Sequence, residues 1–431
     1  MRNVFIVAAK RTPQVKSGLD FKEVSVPHLA IGLLQNILDS YPKIENTSVD
    51  EVIFGNIGAP PQFANISRVI ALEAGLDQKT SAYTVNRNCA AGMEAVAQAT
   101  LKIATSRAEL IFAGGLESMS QMPLIFSKEM TDMFIELMKA KSLKERLTAF
   151  GRFRPYFLKP IIAIEKGLTD PFCGLNMGQT AELLARELNI TREEQDTFAN
   201  YSHQKACAAT KEGRFHSEIV PVLVGNKMDR ILTHDVGPRS DSSVERLGQM
   251  RPFFDKKSGS VTVGNSCPIT DGGSALLLAS EEAVNRHALT PLARIVDYSF
   301  NGVAPKYMGL GPISSISALL KRTGQTMDAI DLFEINEAFS AQIIAVQKIA
   351  KDAALCSRFV GLSEALGEIP SEKLNVNGGG VALGHPVGSS GSRIIVTLVH
   401  ELMRRRGKWG VASLCIGGGQ GGAVLVENLA L

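Results

Sequence analysis

The apolar positions begin with a strand-like run, Val4-Phe5-Ile6-Val7-Ala8, and then repeat one layout near each end of the chain. In the first copy, a turn at Asn88-Cys89-Ala90-Ala91-Gly92 opens a helix-like run from Met93 to Thr105. A short apolar strand follows, Leu110-Ile111-Phe112-Ala113, closed by Gly114-Gly115. In the second copy, Gly384-His385-Pro386-Val387-Gly388-Ser389-Ser390-Gly391 opens a helix-like run from Arg393 to Arg405. The strand Gly410-Val411-Ala412-Ser413-Leu414-Cys415 follows, closed by Gly417-Gly418-Gly419. Turn, helix, buried strand and glycine turn thus occur twice. Val49 to Asn56 and Ile330 to Asn336 also correspond as strands. The pattern predicts two α/β halves related by a pseudo-repeat, each a sheet with helices packed on it. Chance likeness between two ordinary βαβ segments is the competing explanation.

Between the halves the pattern breaks. A helix-like run carries Met133, Phe134, Leu137 and Met138, and the patch Phe153-Arg154-Pro155-Tyr156-Phe157-Leu158 follows. Thr191 with Glu194 three residues on has capping-box spacing and predicts a helix start. His234 to Gln249 is polar and reads as exposed loop. The expected division is 1–120 with 250–285 as the N-terminal half, 121–249 as an inserted loop domain, and 286–431 as the C-terminal half.

Composition changes this picture little. The 431 residues, 45% of them hydrophobic, suffice for a large core, and the net charge of +3 gives no argument for nucleic acid. Cys89, Cys173, Cys207, Cys267, Cys356 and Cys415 are scattered, with neither a Cys-x-x-Cys pair nor zinc spacing. That favours a reducing, cytoplasmic setting and no metal. The strand at Val4 leaves no room for a signal peptide, and no apolar run approaches the ~20 residues of a membrane-spanning helix.

Four residues carry candidate chemistry. Cys89 stands at a turn into a helix, where the helix dipole favours a thiolate and small neighbours leave room for a bulky substrate. A cysteine there is also ordinary packing. His385 is presented by a loop of glycines and a proline, and can deprotonate a thiol or donate to an oxyanion. A satisfied structural histidine is the alternative. Cys415 opens Cys415-Ile416-Gly417-Gly418-Gly419-Gln420-Gly421, whose backbone N–H groups can hold an oxyanion. A second thiol with a pKa of about 8 could move a proton at carbon; a buried filler is the alternative. Asn336 follows a strand and precedes a helix, so its amide either orients a water or caps the helix. Together the set suits Claisen chemistry on thioesters without a metal or redox cofactor: a nucleophile to carry the acyl group, a proton shuttle and two oxyanion sites.

These motifs, with Asn336-Glu337-Ala338-Phe339 and Val263-Gly264-Asn265-Ser266 followed by Asp271-Gly272, resemble the thiolase family from about Val4 to Glu427. The resemblance implies the thiolase fold, a five-layered α/β/α/β/α core of two halves with a loop domain, in dimers or tetramers. It implies no permanently bound cofactor, with coenzyme A as a substrate. Cys89 resembles the acyl-accepting nucleophile, His385 its activator, Asn336 the holder of a water in the same oxyanion hole, and Cys415 the acid/base for the α-proton. The N–H groups of Cys89 and Gly417 resemble the second oxyanion hole. Ser266 resembles a serine along the pantetheine arm, and Met177-Gly178 falls where the loop domain covers that arm. The chain departs from many relatives at Ala91, where they have serine.

Lys139 to Leu158 resembles the β subunit of the fatty-acid trifunctional complex, where a corresponding insertion helps membrane association. That subgroup commonly has histidine where this chain has Asn336. Residues 125–165, with Lys139, Lys141, Lys144, Arg146, Arg152, Arg154 and Lys159 among Leu and Phe, suit an anionic membrane surface, a hydratase/dehydrogenase partner, or simply solvent. The reading that follows is a degradative 3-ketoacyl-CoA thiolase. Biosynthetic condensation of two acetyl-CoA molecules is its alternative, and a ketoacyl synthase or a non-catalytic acyl-CoA-binding subunit stand further off.

Overall fold

The computed structural model describes residues 2–225, 227 and 229–430. Two compact units emerge: residues 121–169, and the rest of the chain. The larger unit is built on one ten-stranded sheet. Its strands used below are β1 (Val4–Arg11), β2 (Glu51–Gly55), β3 (Ser81–Val85), β4 (Leu110–Glu117), β5 (Thr270–Ala279), β6 (Ala293–Gly302), β7 (Leu332–Ile335), β8 (Trp409–Ile416) and β9 (Gln420–Asn428). The order across the sheet is β7-β8-β9-β6-β1-β5-β4-β2-β3.

The pseudo-repeat is present in the pairing. β2 lies parallel to β4 and β7 parallel to β8, while β4–β5 and β8–β9 are antiparallel, as are β5–β1 and β9–β6. A side-chain detail repeats as well. Asp50 Oδ2 accepts the N–H groups of Glu109 and Leu110 at 2.7 and 3.0 Å, and Asp331 Oδ2 accepts those of Lys408 and Trp409 at 2.7 and 2.9 Å. Each carboxylate fixes the start of the strand that leads to the site. Two separate sheets were expected; instead they join edge to edge where Val4–Ile6 pairs with Ala293–Ile295.

Side-chain alternation along the strands produces the layers. Ile53, Ile111, Ala412, Leu414 and Val424 enter a central core, together with residues of helices α1 (Ala91–Ala104) and α2 (Val387–Arg405). Their neighbours Val52, Phe54 and Phe112 face a second core under helices His28–Ser40 and Ile66–Glu73. Val411, Cys415 and Leu425 face a third under Gly311–Thr323 and Ser340–Ala350. Helix, sheet, helix pair, sheet and helix make the five layers.

Several sequence expectations change here. The strand expected to close at Gly114-Gly115 runs on to Glu117. Those glycines serve close approach: a Cβ on Gly114 would lie 2.1 Å from the Ser274 carbonyl, and one on Gly115 2.1 Å from that of Gly388. Helix α2 begins at Val387 rather than Arg393, so Gly388 and Gly391 lie inside it. His234 to Gln249 is only partly exposed loop. Asp235 is buried and receives two bonds from the fully buried Arg11, at 2.7 and 2.9 Å, and Ser243 caps a short helix, Val244–Gly248. Residues 170–249, read with the inserted segment, fall in the larger unit. They include the capping box at Thr191 and Glu194, which opens helix Arg192–Lys211.

The smaller unit is a helical hairpin, Lys128–Lys139 and Leu143–Gly151, with Ser127 and Ser142 as N-caps. A two-residue strand pair, Leu124–Ile125 with Ile161–Ile162, closes it. Met130, Met133 and Phe157 form its small core.

Candidate active site

Helices α1 and α2 meet at their first turns. A Cβ on Gly92 would lie 2.4 Å from Ser392 Oγ, and one on Gly391 2.6 Å from the Met93 nitrogen. Only glycines permit this approach, and it sets Cys89 and His385, three residues ahead of Gly92 and Gly388, on adjoining helix starts. Asn88 adopts the left-handed conformation (φ 46°) and turns the chain from β3 into α1. Its Nδ2 donates to the Gly417 carbonyl at 2.9 Å. That bond ties the nucleophile turn to the glycine loop after β8.

The N–H groups of Gly417 and of Cys89 itself act on the Cys89 sulfur and favour its thiolate. Burial acts against them more strongly and pushes the thiol up. A position before a helix was expected to favour the thiolate; here burial wins, so the resting group is a thiol that needs a base.

His385, on the adjoining helix start, is the candidate. Its backbone N–H donates to the Pro268 carbonyl at 3.3 Å, and its Nδ1 lies 2.6 Å from Ser390 Oγ. That hydroxyl donates to the Pro386 carbonyl at 3.1 Å. With its one proton spent there, Nδ1 must be the donor to Ser390. Nε2 then keeps a lone pair, a tautomer assigned from the bonding network. Burial, reinforced by the Arg393 guanidinium, pushes His385 down to about 4. The ring is neutral at physiological pH and free to accept a proton.

Cys415 lies near the end of β8 and is 2% exposed. Burial, then the neighbouring Cys89 and Cys267, raises it well above an ordinary thiol. The expectation of a pKa of about 8 therefore fails. The thiol stays protonated, which suits a proton donor to a carbanion-like carbon. After it, Gly418 and Gly419 take positive φ of 92° and 81°, which closes the loop back into β9. Met177 covers this loop: a Cβ on Gly417 would stand 3.3 Å from its sulfur.

Asn336 is not the cap of the following helix, which starts at Ser340 with Phe339 as its N-cap residue. It is 1% exposed, and neither end of its amide has a protein partner. Such an open amide can hold a water or a substrate oxygen, as can those of Gln14 and Gln342, which are left in the same state. Glu337, beside it, anchors the loop through Ser202, Asn375 and the Val381 N–H at 2.6, 2.8 and 3.1 Å.

Not every expected residue points to the site. Ser266 is buried, and its hydroxyl donates to the Thr262 carbonyl at 2.6 Å, closing its own turn. Gly178 packs under Phe254, whose ring a Cβ would meet at 2.3 Å. Sequence reasoning passed over Cys267. Its N–H donates to the Ala338 carbonyl at 3.0 Å, so it lies between the Asn336 loop and the Pro268–His385 contact. Burial, then Cys89, pushes its thiol up to about 12. The signal was available, since Cys267 adjoins the Ser266 motif, but scattered cysteines gave no reason to connect it with the other two.

Known proteins resemble this chain over nearly its whole length. Residues 4–282 match the family model for the thiolase N-terminal domain, and residues 289–428 that for the thiolase C-terminal domain. A protein of Staphylococcus aureus (strain COL) described as "Probable acetyl-CoA acyltransferase" is 38% identical over 430 residues, covering 99% of this chain and all of its own. The Bacillus anthracis acetyl-CoA acetyltransferase superposes with a TM-score of 0.86 at 38% identity, over 100% of this chain and 99% of its own. Human mitochondrial 3-ketoacyl-CoA thiolase in complex with CoA gives 0.85 at 36%, over 99% and 98%. With both domain models matched in order and a relative 38% identical over nearly the whole chain, the chain belongs to the thiolase family.

Proposed function

We propose that the chain cleaves 3-ketoacyl-CoA with coenzyme A, giving acetyl-CoA and a shortened acyl-CoA. One observation carries this reading: the Cys89 thiol, under two N–H donors, neighbours a second, protonated thiol at Cys415, and the helices that follow Cys89 and His385 pack together through Gly92 and Gly391. His385 takes the Cys89 proton, and the thiolate attacks the 3-keto carbon. The C2–C3 bond breaks, its electron pair goes to the acetyl-CoA enolate, and Cys415 protonates C2. The ketone carbon is left as a thioester on Cys89. Coenzyme A then gives its thiol proton to the Cys415 thiolate and attacks that thioester. Acyl-CoA leaves, and the proton on His385 returns to Cys89. The developing oxyanions sit against Asn336 and His385 on one side, and the N–H groups of Cys89 and Gly417 on the other. Met177, over Gly417, is the better placed pantetheine contact.

The same residues run backward to condense two acetyl-CoA molecules, so mass action sets direction. The degradative reading is supported by the likeness to human mitochondrial 3-ketoacyl-CoA thiolase. Thiolysis rates on acetoacetyl-CoA and on longer 3-ketoacyl-CoA substrates test it. Comparable or higher kcat/KM on the longer chains is expected, and turnover of acetoacetyl-CoA alone would overturn the degradative assignment.

The smaller unit supports a surface role. It exposes Leu124, Ile125, Phe126, Met138, Leu143, Leu147 and Phe150 beside Lys139, Lys141, Lys144 and Arg146. Among the described residues no helix is long and apolar enough to cross a membrane. Exposed apolar side chains beside an excess of cations over the acidic residues Glu129, Asp132, Glu136, Glu145 and Glu165 suit the surface of an anionic bilayer. Co-sedimentation with phosphatidylglycerol vesicles, and not with phosphatidylcholine vesicles, is the expected result.

A further inference from the structure

Glu117 ends β4 and takes no part in the chemistry above. It is 1% exposed, and its carboxylate is bonded on four sides. Oε1 accepts from Asn56 Nδ2 at 3.1 Å and from the Gly58 N–H at 3.0 Å. Oε2 accepts from the Ile57 N–H at 3.0 Å and from the Gly388 N–H at 3.2 Å.

The donors come from two halves of the molecule. Asn56 to Gly58 follow β2 in the first half, and the Asn56 N–H itself donates to the carbonyl of Val85, the last residue of the strand that leads to Cys89. Gly388 lies in the first turn of α2 in the second half, three residues after His385. A carboxylate in that place also meets the positive end of the helix. The fit is close: a Cβ on Gly388 would lie 2.8 Å from Glu117 Oε2.

We propose that Glu117 is a positioning residue of the active site: its carboxylate holds the helix start that carries His385 in register with the turn that carries Cys89. Burial opposes its charge and pushes the carboxyl up to about 7, and the four N–H donors are what make that charge tenable. Arg87 also bonds both halves, Glu94 Oε2 at 2.7 Å and Gln420 Oε1 at 3.2 Å, but it ties the Cys89 turn to the start of β9 and not to the helix start that carries His385. The proposal rests on the thiolase reading for its effect on turnover, but not for its effect on Cys89 itself.

Glu117→Gln keeps the shape and removes the symmetry. Each oxygen now takes two N–H donors, so the amide NH2 must face two donors whichever way it turns. Asn56 cannot relieve this by flipping, because its Oδ1 accepts the Ala59 N–H at 2.8 Å and its Nδ2 also donates to the Leu116 carbonyl at 3.1 Å. The expected result is a fall in kcat of tenfold or more with KM for coenzyme A within about twofold. Alkylation of Cys89 by iodoacetamide at fixed pH should slow by a similar factor; that readout needs no thiolase substrate. Glu117→Asp keeps the charge on a shorter arm and should recover part of both rates without matching changes in Tm. If E117Q does not accumulate, E117D alone carries the test, with both rates expected below wild type. Wild-type kcat and alkylation in whichever variant folds would overturn the proposal. So would losses that follow Tm alone, with E117D no better than E117Q. Altered alkylation without any thiolase turnover in the wild type would instead overturn the function and leave the positioning role standing.

Discussion

The two halves share one scaffold and divide the chemistry between them. In each, an aspartate fixes the start of a strand, a glycine turn opens a helix, and the strand runs to the site. The first half puts Cys89 at its helix start and a carboxylate, Glu117, at its strand end. The second puts His385 at its helix start and a thiol, Cys415, near its strand end. In the proposed reaction the first half would hold the acyl group and the second would move protons. The scaffold therefore fixes where a side chain arrives, and the residue chosen there fixes what it does.

Breaking each half separately should give different failures. Cys89→Ala removes the acyl carrier and should cost thiolysis about 10⁴-fold or more, measured as kcat on a 3-ketoacyl-CoA. Retained turnover would end the division proposed here. Cys415→Ala should lower C–C cleavage by about 10²- to 10⁴-fold, the range of a lost acid/base. It should cost transfer of an acyl group from a simple acyl-CoA to Cys89 much less, since there Cys415 only protonates a departing thiolate, a far better leaving group than a carbanion. Equal loss in both assays would show that Cys415 serves the fold rather than the proton.

His385 sharpens the comparison through stability. Its folded value of about 4 lies below the 6.5 of an unfolded histidine. As pH falls from 6.5 toward 4 the unfolded chain gains a proton that the folded one does not. Stability is therefore lost over that window, by about 3 kcal/mol at ~1.4 kcal/mol per unit. Urea unfolding across this range should show a flatter decline in His385→Asn than in wild type. His203, also held down to about 4 by burial, contributes in the same window to both proteins.

Asn336→Ala should have the smallest effect, a tenfold to hundredfold loss in kcat. Its amide makes no bond within the protein, so urea unfolding should show little loss of stability. A large loss would mean that the amide supports the fold.

Much of this site was legible because local signals coincide with global placement. The turn at Cys89, the loop at His385 and the strand at Cys415 each combine a reactive side chain with glycines, and the repeat put them in corresponding positions. Glycines also misled. Gly114 and Gly115 read as a turn, whereas they sit inside β4 where other backbones press against it. Gly388 and Gly391 read as loop, yet they are the contact surface of a helix. A glycine needed for close approach looks the same in sequence as one needed for a turn. Glu117 and Cys267 were invisible for another reason: Glu117 meets Gly388 across 271 positions, and no spacing rule reaches that far. Asn336 could be read as a cap until its helix was found to start four residues later.

The account stands most directly on where the acyl group rests. The protein would be incubated with acetyl-CoA, quenched in acid, digested and examined by mass spectrometry. The expected result is one acetyl group on the peptide that contains Cys89, lost when coenzyme A is added before quenching. An acetyl group on Cys267 or Cys415 instead, or none on any thiol, would contradict it.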